Sequence, residues 1–501
     1  GTNAYNIPMI FKLCSEVEVD ILEVSIRDII SRHEILRTLL QEDEAGNSYQ
    51  LILDGGEYPR VEKIKVNNSL ELDAKINEAL THVYDLSVEI PVKVYLYELG
   101  EREYYLGITI HHIAFDGWSI DIFIKELQAY YIANSRGIKA NLPVLSIQYK
   151  DFALWQRHYL TGERLEEQLS YWRKKLEGYE TLNLIPDKPR PAQVDYRGEE
   201  IYFELEEGVS NGLRGLAKEL KVSLYTVLLS GYYLMLRAYS NQEDIVIGTP
   251  IANMHYSQIE HLIGFFVNSI VLRAKIDSKM LIREFIECVG KSIIEAQSYQ
   301  DLPFEKLVEE LKVIKDTSRH PIFQVMFDVQ SFGDTGNVLL EPYGSEGITY
   351  RVSKFDMSTS IDDREAKLRG VFNFATGLYE RGTVSGFIET YKIILKQFSN
   401  LASNLELQRD TRIEQISYLD EEQYEYLVNA LNATDHEYPE GKTIHGLFEE
   451  QVIRTPDNVA VIYEEVKLTY RELNEKANQL AHYLIEHYDI KPEELIGLCL
   501  D

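Results

Sequence analysis

Three features of this chain point to an α/β protein built of two lobes. Segments with apolar residues at every second position alternate with segments of helical spacing in both halves. Residues 185 to 198 carry three prolines and read as a crossover between those halves. At 501 residues the chain is long for one domain, so two or more are expected.

Taken in order, Tyr5 to Cys14 has strand character. Asp20 and Glu23 have capping-box spacing, and Leu22, Ile26, Ile29, Ile30 and His33 then share a helical face. A turn at Glu44 to Asn47 leads to a strand near Tyr49 to Leu53; Leu70 to Tyr84 is helical, and Val92 to Leu99 is a strand. In Tyr105 to Ile110, Leu106, Ile108 and Ile110 form one apolar face. Ile120, Phe123, Ile124, Leu127 and Tyr131 follow helical spacing, with Ser119 as expected N-cap and Asn134 to Gly137 as the stop. Helical patterns at Asp151 to Tyr159 and Leu165 to Leu176 close the first half.

The second half opens with a strand at Glu200 to Leu205 and helices near Gly208 to Leu220 and Leu224 to Ala238. Strands are expected at Asp244 to Thr249, Phe265 to Leu272 and Ile322 to Val329, with helices at Leu281 to Gln297 and Phe304 to Leu311. Past about residue 412 the character changes. Glu421 to Asn432 is a polar helical segment, and residues 432 to 441 are turn-rich, as linkers are. A fresh unit follows: helix Ile444 to Ile453, strand Val459 to Tyr463, helix Tyr470 to His487 and strand Leu495 to Leu500. So short a β-α-β fragment cannot cover its own sheet, so it reads as the start of a domain that continues.

Composition narrows the partners. A formal charge of -30 argues against nucleic acid. No apolar run has membrane-spanning length, and no secretory signal pattern stands at the start. Cys14, Cys288 and Cys499 lie far apart, which excludes a disulfide framework or cysteine-rich metal site and fits a reducing cytoplasm.

Chemistry concentrates at residues 110 to 119, Ile-His-His-Ile-Ala-Phe-Asp-Gly-Trp-Ser, on a strand-to-helix connection. A lone histidine is more often structural than catalytic, and adjacent strand side chains point to opposite faces. Of His111 and His112, only one therefore easily faces a cleft. A neutral imidazole can accept a proton near neutral pH. Asp116 reads as a structural ion-pair partner, and Gly117 allows close backbone approach, its amide a candidate oxyanion donor. No Gly-x-Ser-x-Gly elbow is present, and His-His-x-x-x-Asp matches no helix-borne metal pattern. Arg32, His33, Glu34 and Arg37 read as a solvated helix end, Asn268 as a polar oddity in a core strand, and Trp118, Trp155 and Trp172 as core or groove aromatics.

Six segments in order carry a resemblance to the condensation domain of nonribosomal peptide synthetases, within the chloramphenicol-acetyltransferase-like acyltransferases. They are Arg32-His-Glu-Ile-Leu-Arg-Thr38, His111-His-Ile-Ala-Phe-Asp-Gly-Trp-Ser119, Tyr149-Lys-Asp-Phe-Ala-Leu-Trp-Gln-Arg157, Ile263-Gly-Phe-Phe-Val-Asn-Ser-Ile-Val-Leu-Arg273, Tyr299-Gln-Asp-Leu-Pro-Phe-Glu305 and Ser318-Arg-His-Pro-Ile-Phe-Gln-Val-Met-Phe327. Leu468-Thr-Tyr-Arg-Glu-Leu-Asn474 looks like the first motif of an adenylation domain. The family's first motif, expected before Tyr5, is missing, so the chain looks like an excerpt. Met254 stands where the family often has Arg, and Tyr299 where it often has His.

The resemblance implies an α/β (α+β) fold of two chloramphenicol-acetyltransferase-like lobes in a V, plus the start of an adenylation domain. The expected divisions are 1–180 for the N-lobe, 181–412 for the C-lobe, 413–443 for a linker and 444–501 for the adenylation start. It implies a tunnel with the His112 loop at its centre. Upstream donor and downstream acceptor carrier domains would present substrates on 4'-phosphopantetheine, with no cofactor or metal bound by this domain itself. The acceptor amine attacks the donor thioester, with His112 as base or as positioning donor. His111 and Asp116 support the loop, Asp116 by an ion pair to Arg37 or Arg273. Gly117 leaves room for the acceptor arm, Asn268 is expected to face the tunnel, and the Trp118-Ser119 ending with the Asn3 to Pro8 opening resembles domains joining two L-residues. The rivals are a catalytically silent docking module and a free-standing coenzyme A-dependent acyltransferase.

Overall fold

The computed structural model describes residues 2–14, 16–54, 60–100, 103–252, 256–313, 316–330, 339–349, 351–402, 404 and 409–499. They form two compact units, Gly1–Asp420 and Glu421–Asp501.

The first unit contains two large sheets. One has five strands in the order Leu340–Pro342, Asn6–Leu13, Glu103–His111, Val92–Leu99, Val61–Val66, antiparallel except for the last pair. Ile108 and Ile110 are wholly buried on its face against helices Val19–Arg32 and Gly117–Ser135, as the period-two pattern requires. Helix Ser69–Leu80 belongs to a separate apolar cluster with Tyr97 and Tyr105. The other sheet has six strands: Gly198–Glu204, Arg369–Ala375, Met357–Asp362, Val325–Gln330, Asp244–Ile251 and Asn268–Lys275. Its core gathers helices Glu207–Leu220, Leu224–Ser240, Ile282–Ser298 and Arg381–Ala402. Leu224–Ser240 is apolar on every side because other elements enclose it; Thr226 through Leu236 are all buried.

Two excursions tie these parts together. Leu340–Pro342, from the second half of the chain, adds the edge strand beside Asn6–Leu13. Ile263 is buried in the core under the first sheet. Ile413 and Ile416 pack into the core of the second sheet.

Several expected boundaries move. The N-cap of Gly117–Ser135 is Asp116, not Ser119, because the Asp116 carboxylate accepts the Ser119 amide. Val19–Arg32 begins after Glu18 with no side-chain cap, so Asp20 and Glu23 form no capping box. The strand expected from Phe265 begins at Asn268, because the residues before it are engaged elsewhere. In the second unit, Val459–Tyr463 pairs antiparallel with Val466–Thr469 before helix Tyr470–Tyr488. The fragment is thus a hairpin and helix rather than β-α-β. Residues 495–499 form no strand; Leu500 lies outside the described residues.

Candidate functional site

The strand Glu103–His111 delivers the two histidines to a tight turn. The His111 amide donates to the Pro91 carbonyl at 2.9 Å and the His112 amide to the Tyr5 carbonyl at 2.8 Å, so both neighbouring strands hold the end. His112–Ala114 then forms one 3-10 turn, anchored by buried Ala114 and Phe115. This turn breaks strand parity, so the faces of the two rings cannot be read by alternation. His111 Nδ1 accepts from the Ile113 amide at 3.2 Å, and its ring lies among Tyr5 and Tyr84. The His112 ring meets Phe265 edge-on, with centroids 5.2 Å apart.

Asp116 is fully buried and holds four donors. The amide and hydroxyl of Ser119 lie 3.1 and 3.0 Å from Oδ1, and the amides of Phe266 and Val267 lie 2.8 and 3.1 Å from Oδ2. Ser119 Oγ also accepts from the Gly264 amide at 3.1 Å, and the Gly264 carbonyl, 3.1 Å away, shares its single proton with Asp116. The Tyr149 hydroxyl donates to the Phe265 carbonyl at 2.9 Å. A Cβ on Gly264 would sit 2.4 Å from the Tyr149 ring, so glycine is required by that close approach. Residues 264–267 are thereby clamped to the mouth of the helix, and Phe265 is delivered to His112.

A second clamp lies behind the first. His33 is 1% exposed; its Nε2 lies 2.8 Å from Glu126 and its Nδ1 accepts from the Ile263 amide at 3.3 Å. Arg32 pairs with the other Glu126 oxygen at 2.9 Å. The expected solvated helix end is therefore an internal joint. Its signal was present, since His33 falls on the same helical face as Ile26, Ile29 and Ile30.

Burial and a nearby cation set the electrostatics. Burial, and then the Lys354 ammonium, pull the His112 imidazole down to about 4. The carbonyls of His112 and Phe115 favour its protonated form only weakly, and buried Nδ1 makes no well-formed hydrogen bond. His111 is lowered by the same two causes. Lys354 is itself lowered to about 8 by burial, and its ammonium sits 5.2 Å from the centre of the Tyr5 ring. Burial raises Asp116, against the pull of its four hydrogen bonds.

The structure corrects three expected roles. Asp116 pairs with neither arginine, because backbone amides and Ser119 take its oxygens. Arg37 caps the carbonyls of Leu53 and Ser31. Arg273 pairs with Asp244 at 2.8 Å and holds the Lys175 and Glu177 carbonyls. Asn268 spends its side chain on backbone: its amide donates to Gln300 and Leu302, and its oxygen accepts from Ser269 and Phe304. It pins the segment before helix Phe304–Glu310 rather than facing a tunnel. Gly117 and Trp118 open the helix on its exposed side, with Trp118 45% exposed. Trp155 is 38% exposed, and only Trp172 is core. Tyr299 stacks on Tyr171 at 4.0 Å, while Met254 lies outside the described residues. Phe265, Tyr5, Tyr149 and Lys354 escaped sequence reasoning; Lys354 stands in an ordinary polar stretch and carries no local signal.

Cavities of about 890 and 680 Å³ lie along helix Gly162–Lys175, and neither is lined by His111 or His112. Among the described residues, no group of three or more His, Cys, Asp or Glu could hold a metal ion, and no helix is long and apolar enough to cross a membrane.

Fold and site together describe a two-sheet α/β protein with a half-buried histidine turn clamped between its halves. The condensation-domain family model matches residues 1–428 and that of AMP-binding enzymes residues 448–501, so the chain belongs to the condensation-domain family and continues into the start of an AMP-binding enzyme. Condensation domains of nonribosomal peptide synthetases catalyse amide-bond formation. Among relatives, N-(5-amino-5-carboxypentanoyl)-L-cysteinyl-D-valine synthase of Amycolatopsis lactamdurans is 39% identical over 100% of this chain, and malpinin synthetase of Mortierella alpina is 32% identical over 100%. The chain spans only 13% and 6% of those two proteins. Among solved structures, the X-domain from teicoplanin biosynthesis matches with TM-score 0.74 and 26% identity, over 83% of this chain and 93% of that one. A holo four-domain nonribosomal peptide synthetase bound to AMP and glycine matches in fold, with TM-score 0.80 and 21% identity over 97% of this chain and 37% of that one. These neighbours have the chloramphenicol-acetyltransferase-like fold expected of the chain.

Proposed function

We propose that this site joins an acyl or peptidyl group, held as a thioester on an upstream carrier domain, to the amine of an aminoacyl thioester on a downstream carrier, both reacting centres being L-configured. Phosphopantetheine arms would bring the substrates to the His112 turn through a tunnel between an N-lobe (1–180) and a C-lobe (181–412). A linker (413–443) would then lead to the adenylation start (444–501), in a cytoplasmic assembly line. The carrying observation is the His112 turn, locked at both ends and clamped to residues 264–267. A thioester is already activated, so holding the two reactants in line supplies most of the needed acceleration.

With its imidazole near 4, His112 is about 0.1% protonated at pH 7. Holding a full proton there costs about 4 kcal/mol. That favours a neutral acceptor that aligns the amine by a hydrogen bond over a base that stores its proton. Asp116 acts on the loop through the clamp, and Ser119 with it.

The test loads an upstream and a downstream carrier, adds the full-length protein and looks for the condensed product by mass spectrometry. A His112→Ala variant that condenses at the wild-type rate would sink the assigned role. No product from any matched pair would favour a docking module instead.

A further inference from the structure

The ammonium of Lys354 is a charge near the histidine turn that the mechanism above leaves without a task. Among the described residues no carboxylate pairs with it, and its one contact of an electrostatic kind is the face of the Tyr5 ring. Lysine is flexible and strongly hydrated, and when buried it normally finds an acid or snorkels to water. Here the half-buried side chain leaves a backbone held on both sides. Val352 bridges to Arg197, the Ser353 amide donates to the Tyr196 carbonyl at 2.9 Å, and the Ser353 hydroxyl closes on the Phe355 carbonyl at 2.7 Å. On the other side the Asp356 amide donates to Gln324 at 2.9 Å, and Arg190 takes the Asp356 carboxylate, the nearest acid in sequence. The fit is close: a Cβ on Gly198 would lie 2.6 Å from the Ser353 nitrogen. A cavity of about 20 Å³, room for about one water, borders Lys354.

The charge acts on the reaction centre. Among the described residues it is the cation that bears on both His111 and His112. Facing it are those two imidazoles, from the turn, and the Tyr5 ring, with Tyr196 packed against Tyr5. Burial favours the neutral form of both imidazoles and of Tyr5. The acid that bears on Tyr5 is Glu305, which is exposed and, among the described residues, makes no ion pair with Lys354.

We propose that Lys354 is a catalytic residue whose buried ammonium is reserved for the anion that forms on the donor thioester's carbonyl oxygen. This rests on the amide-forming reading above. As the amine nitrogen bonds to the thioester carbon, the carbonyl π pair moves to oxygen. When that pair returns, the carbon–sulfur bond breaks, and the proton lost by nitrogen ends on the departing thiolate. Lys354 neither gives nor takes a proton in this sequence; it lowers the energy of the charged oxygen between the two bond changes. A fixed donor in a dry site does this most effectively.

The test compares wild type, Lys354→Met, Lys354→Arg and His112→Ala with the same pre-loaded carriers, reading single-turnover condensation rate and melting temperature. Lys354→Met is expected to lose about 100-fold or more in rate, the range for an oxyanion donor. Its melting temperature should hold or rise, because it removes a buried unpaired charge. Lys354→Arg is expected to recover at least tenfold of that loss. In the wild type the rate should fall above about pH 8, where the amine loses its charge, and this limb should be missing from Lys354→Arg. A Met variant within twofold of wild type would overturn the proposal. So would a slow Met variant that melts lower and is not rescued by Arg, since that pattern marks a structural lysine. Inactive wild type would instead overturn the amide-forming reading itself.

Discussion

Asp116 Oδ2 lies 2.8 Å from the amide of Phe266, 150 residues further along the chain. With the Val267 amide and both donors of Ser119, this makes the carboxylate a four-point clamp between the strand-to-helix turn and the second half of the protein. The site is therefore held by charge-assisted hydrogen bonds to backbone, not by an ion pair.

Removing the clamp leaves the Phe266 and Val267 amides unpaired, while Ser119 keeps the residue-116 and Gly264 carbonyls. Asp116→Ala should destabilise the first unit by about 3–5 kcal/mol, as loss of one partner in a buried charged network does. Asp116→Asn should lose less, since one oxygen still accepts. Urea unfolding of the two variants checks the order, and equal stability of Ala and wild type would refute the clamp.

Arg273, expected beside Asp116, supplies a cleaner test. Arg273 and Asp244 touch, whereas Arg273 and Asp116 do not. A double-mutant cycle on Arg273 and Asp244 should show coupling of about 1 kcal/mol or more, and the Arg273–Asp116 cycle should be additive within about 0.5 kcal/mol.

The proposed reaction gives His112 a chemical task but little part in the fold. Its Nδ1 makes no well-formed hydrogen bond, so His112→Ala should shift the melting temperature slightly while slowing condensation by about 10²–10⁴-fold. Parallel calorimetry and product assays separate the two effects.

The depressed imidazole also predicts an acid sensitivity. The unfolded chain protonates His112 near its ordinary 6.5 and the folded chain only near 4. Between those values the unfolded state binds more protons, so stability falls as pH falls. The loss from this group approaches about 3 kcal/mol by pH 4. Urea midpoints at pH 7, 5.5 and 4.5 should decline more steeply in wild type than in His112→Gln, and parallel slopes would rule the effect out.

What could be read in the chain was local. Alternation in Leu106, Ile108 and Ile110 and helical spacing in Leu22, Ile26, Ile29 and Ile30 report burial on one face, because side-chain direction follows the backbone period. The strand-to-helix place of His111, His112 and Asp116 followed from that same logic. The ordered motifs, read as a resemblance, pointed to the family that the comparison showed.

Caps and strand ends were less legible where a distant partner competes. Asp116 rather than Ser119 caps Gly117–Ser135, and the strand expected from Phe265 starts at Asn268, because Asp116 draws the Phe266 and Val267 amides away from the sheet. A hydrogen bond across 150 residues has no local pattern.

The chain by itself determined many of the strands and helices, though not Met357–Asp362, Arg381–Ala402 or Val466–Thr469, and which loop bears the histidines, since both depend on near-neighbour spacing. Only the tertiary structure decided that Asp116 grips backbone, that His33 is an internal joint, and that Lys354 stands beside the turn with no carboxylate partner among the described residues. The reason is physical: hydrogen-bond partners and the energy of a charge depend on what the fold brings alongside and how much water it removes, and neither is written in the residues next door.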